Sequence, residues 1–98
     1  MKQTNKMLNE KKLIIQEAYR VLIETTPSLL LTDFNSIKKQ SYTSLGIDYW
    51  NWMDFLANLE SIFSKDLSET TDKFKIQTID EVIKALYCAP NISNLYNN

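Results

Sequence analysis

A chain of 98 residues with an ordinary apolar fraction of 44% makes one small domain. One glycine and two prolines give too few turn residues for an all-β fold, and the absence of histidine with a single cysteine, Cys88, excludes an internal disulfide, a Cys/His zinc site and a nucleophile–histidine pair. Residues 1–47 hold seven Lys/Arg against four Asp/Glu (+3) and residues 48–98 four against eight (−4), so the acidic second half argues against nucleic acid there.

The chain starts with a polar stretch, residues 1–8, expected to be a frayed lead-in. No secretory signal and no run of about 20 apolar residues is present, so the expected setting is cytoplasmic, without a membrane span. From about Asn9 a helical period emerges. Ile14, Ile15, Ala18, Val21 and Leu22 share one face, which Leu13, Tyr19 and Ile23 widen. Thr25-Thr26-Pro27 ends this helix, because proline cannot continue the hydrogen-bond ladder.

Residues 28–47 form a long connection with many apolar groups: Leu29, Leu30, Leu31, Phe34, Ile37 and Tyr42. A loop of this length is expected to pack its own side chains. A short helical turn is expected within Asp33–Lys39. Leu45-Gly46 is a turn, and Asp48 suits the N-cap of a second helix over about Tyr49–Ser64. Phe55, Leu56, Leu59 and Phe63 form its expected buried stripe, with Trp52 and Ile62 at the edges. Trp50 and Trp52 differ by roughly 200° about the helix axis, which places Trp50 on the surface and Trp52 at the bundle edge. Trp50, Asp54, Ala57 and Ser61 share another face, and residues 48–64 hold three acids and no base.

A short third helix over Glu69–Phe74, anchored by Phe74, is expected next. Thr78 and Glu81 then match a capping box ahead of a last helix, whose Ile79, Val82, Ile83 and Leu86 recur at helical spacing. Pro90 closes it. The Asn-rich tail, residues 91–98, is expected to be loose. Its Asn91-Ile92-Ser93 matches a glycosylation sequon, taken as chance without a secretory signal.

The stretch from Leu45 to Phe63 resembles the carrier motif and second helix of the acyl carrier protein family. Leu45, Gly46, Asp48, Leu59, Glu60 and Phe63 are the residues expected there, and Asp54 takes a place usually acidic. Ile76-Gln77-Thr78-Ile79 resembles the family's Ile-Thr-Thr-Val before its last helix. The resemblance covers about residues 10–87 and implies an all-α, acyl-carrier-like four-helix bundle with three longer helices and a short third one.

In that family a serine follows the Leu-Gly-x-Asp pattern and carries phosphopantetheine. Tyr49 stands at that position here. Its phenol oxygen lies further from the backbone on a rigid ring, so no transfer of the group and no bound cofactor are expected. Ser41 and Ser44 precede Gly46 and are poor substitutes. Trp50 replaces the family's leucine and Ala57 its frequent methionine, while Asn51, Asn58 and Ser61 stand where acids are common. The resemblance thus implies a non-catalytic binding module. It would dock Asp48, Trp50, Asp54, Ala57 and Glu60 onto a fatty-acid, polyketide or peptide biosynthesis partner. The alternatives are a working acyl or peptidyl carrier, with an unusual attachment residue or an altered serine, and an independent helical interaction domain.

Overall fold

A computed structural model describes residues 2–30, 32–69 and 72–89. Among them the chain is all-α: α1 (Lys2–Thr25), α2 (Phe34–Ile37), α3 (Tyr49–Phe63) and α4 (Ile79–Cys88). An isolated antiparallel bridge joins Ser41 and Thr78.

α1 has 24 residues, hence a length of about 36 Å. It begins at Lys2, earlier than the expected Asn9. Lys, Gln and Met are good helix formers and no Gly or Pro interrupts them, so the polar lead-in continues the helix. Ile14, Ala18, Val21 and Leu22 are buried as their spacing requires. Leu13 is not part of that face; at 50% exposure it lies on the flank, about 100° from Ile14. The helix ends at Thr25, whose hydroxyl donates to the Val21 carbonyl at 2.9 Å. Pro27 opens a 3₁₀ turn, Pro27–Leu29, where its missing N–H costs nothing.

The long connection packs its own side chains. Leu29, Ile37 and Ile47 are buried, and Phe34, Tyr42 and Leu45 are packed against the same core. Leu30 is exposed instead, and Leu31 lies outside the described residues. The expected helical turn is α2. Main-chain bonds fix this segment to the approach to α4: Tyr42 N–H donates to the Gln77 carbonyl at 2.8 Å and Asp80 N–H to the Lys38 carbonyl at 3.0 Å. The turn before α3 passes through Gly46 at φ +78°, a left-handed conformation that glycine adopts without steric cost.

The α3–α4 connection differs from expectation. Of the helix expected over Glu69–Phe74, residues 70–71 lie outside the described residues, and on either side of them stand two 3₁₀ turns, Leu67–Glu69 and Lys73–Lys75. The Asp66 and Asp72 carboxylates accept the backbone N–H groups of Ser68 and Phe74, each at 3.0 Å. Each thus starts its own local turn in competition with a continuous helix. Phe74 is 66% exposed and anchors nothing, whereas Leu67 and Ile76 are buried. Among the described residues the short α-helix is α2, which precedes α3.

α4 opens with the expected capping box: Glu81 N–H donates to Thr78 Oγ1 at 3.1 Å, and Thr78 N–H to Glu81 Oε1 at 3.1 Å. Ile79, Val82, Ile83 and Leu86 are buried. Pro90, the tail and the Asn91 sequon lie outside the described residues.

α1 packs against both α3 and α4. Lys65 joins the three. It is 8% exposed, and its ammonium donates to Glu10 Oε1 at 3.0 Å and to the Leu86 carbonyl at 2.8 Å. The residue four beyond Leu86 is Pro90, which has no N–H, so Lys65 supplies the donor that the helical ladder lacks there. No described helix is long and apolar enough to cross a membrane.

Candidate functional site

The start of α3 is built by the turn before it and by the cap. Ile47 N–H donates to the Tyr42 carbonyl at 3.0 Å, closing the turn over Gly46. Asp48 is extended, and its Oδ1 accepts from Asn51 N–H at 2.7 Å. The carboxylate thereby satisfies a free helix-end donor and meets the positive end of the helix dipole. Tyr49 is then the first helical residue, 39% exposed. Trp50 follows at 75% exposure, and the two rings meet edge-to-face with centroids 5.3 Å apart. Two neighbouring aromatics thus stand at the solvent surface where the helix begins.

Trp52 is not at the bundle edge: it is fully buried. Its ring stacks on Tyr42 at 4.9 Å and on Phe55 at 5.2 Å, and its Nε1–H donates to the Ile76 carbonyl at 2.9 Å. The signal was in the spacing, because Trp52, Phe55, Leu56 and Leu59 fall at i, i+3, i+4 and i+7. With that register, Phe63 is only partly buried and Ile62 is 43% exposed. The buried stripe also fixes what faces outward: Trp50, Asp54 and Ala57, at i, i+4 and i+7, are all exposed.

Glu60 turns the other way. Its side chain is 14% exposed. One carboxylate oxygen accepts from Leu67 N–H at 2.9 Å and the other from the Lys73 ammonium at 3.3 Å. It holds the following connection against α3. The six singled-out residues therefore divide by place: Asp48 caps, Tyr49, Trp50, Asp54 and Ala57 face solvent, and Glu60 is engaged within the chain.

The Ser41 hydroxyl bonds to the Thr43 hydroxyl at 3.0 Å and to the Ser44 hydroxyl at 2.9 Å, in the loop before Gly46. Cys88 is exposed at the end of α4. Among the described residues no cluster of three His, Cys, Asp or Glu side chains could hold a metal ion. No buried side-chain nitrogen or oxygen there lacks a hydrogen-bond partner, so no orphaned polar group points to a ligand. The Asp66 carboxyl is held below the usual aspartate range by the Ser68 hydroxyl and backbone N–H that bond it.

Sequence reasoning missed two features. One is Lys65, whose burial follows from tertiary packing and carries no local pattern. The other is a trough of about 430 Å³ beside α4, lined by Asp80, Glu81, Ile83, Lys84 and Tyr87 with Lys11 of α1. All but Lys11 come from one helix, and the Glu81 carboxylate is committed to the cap, so the trough brings together no convergent set of polar groups. Comparison of the chain with protein-family models, curated proteins and solved structures found no match.

Proposed function

We propose that this protein is an acyl-carrier-like binding module without a prosthetic group. In this reading it presents α3 to an enzyme or assembly partner of fatty-acid, polyketide or peptide biosynthesis. The observation that carries it is the placement of Tyr49. The Leu45-Gly46 turn and the Asp48 cap put this residue first on α3 and exposed, where the resembled carriers hold their attachment serine. The phenol makes the position unsuitable for phosphopantetheine, while the outward face through Trp50, Asp54 and Ala57 stays open to a partner.

Trp50 is the anchor of that face. A large exposed aromatic ring supplies contact area with little conformational entropy to lose, which is why tryptophan is enriched among residues that dominate interfaces. No basic residue lies in α3, so a partner carrying Lys or Arg around an apolar pocket complements it.

The test is intact mass of the chain and of Tyr49→Ser, each incubated with coenzyme A and a promiscuous phosphopantetheinyl transferase. Loading of the serine variant alone is the expected result. Loading of the unaltered chain sinks the proposal and favours a working carrier with an unusual attachment residue. Loading of neither removes the support for a carrier-type surface and favours an independent helical interaction domain.

A further inference from the structure

We draw no further inference here: the strongest candidate, the exposed aromatic pair Tyr49 and Trp50 at the amino-terminal end of α3, belongs to the docking face already described, and nothing in the structure shows what covers it.

Discussion

The buried indole of Trp52 has aromatic rings on two sides and a hydrogen bond to the Ile76 carbonyl. Replacing it with alanine empties that volume and is expected to cost about 3–5 kcal/mol, a large share of the roughly 5–15 kcal/mol that holds a domain folded. Trp52→Phe keeps much of the stack but strands the carbonyl, at about 1–3 kcal/mol. Trp50→Ala, at the surface, is expected to stay within about 0.5 kcal/mol. Urea denaturation of the three variants checks the order; equal losses at Trp50 and Trp52 would contradict the register of α3. Backbone conformation makes a second prediction. Ser64 ends α3 at φ 51°, where an L side chain is strained. Ser64→Gly is expected to raise stability by under about 1 kcal/mol, the relief of strain exceeding the added freedom of the unfolded chain. Gly46→Ala meets no atom within 4 Å yet carries the opposite sign, costing about 1 kcal/mol through its positive φ alone.

α3 and α4 were legible in the sequence because each carries its own signals. α3 has Asp48 before it and an apolar stripe behind, and α4 has Thr78 and Glu81. Thr78→Ala is accordingly expected to cost about 1 kcal/mol, read as a lower denaturation midpoint. The short elements were not legible to the same degree. At Leu67–Glu69 and Lys73–Lys75 the outcome rests on whether Asp66 and Asp72 bond locally, and no hydrophobic period arbitrates. That local bonding has a pH signature. The Asp66 pKa is depressed in the folded chain, so its contribution is complete above the ordinary aspartate pKa and is lost as pH falls through the lowered value. Midpoints measured across the acid range should decline there, and Asp66→Asn should flatten part of that decline. An unchanged profile in the variant would show that Asp66 does not govern it.

At the scale of the whole molecule, α1 is the member against which α3 and α4 both pack, and Lys65 bonds to both α1 and α4. Such a contact joins residues 55 positions apart, which explains why nothing around Lys65 in the sequence announces it. Lys65→Met preserves most of the stem and leaves the Leu86 carbonyl unpaired, an expected loss of about 1–3 kcal/mol. Glu10→Gln, whose partner oxygen sits on a half-exposed side chain, should cost less than about 1 kcal/mol and be sensitive to salt. A double-mutant cycle separates the ion pair from the helix-end bond. The candidate site was legible only in part for a related reason. The order of Asp48, Tyr49 and Trp50 could be read directly, but the inward turn of Glu60 depends on the path of the connection after α3.

The two tryptophans also make the chain its own optical instrument. Trp52 is sealed from water and Trp50 stands three-quarters open to it, so their emission separates into a blue component shielded from acrylamide and a red, quenchable one. Unfolding should convert the first into the second in a single transition. A protein seated on α3 should instead protect the red component and leave the blue one where it was, so that docking and folding can be followed in one cuvette without a label.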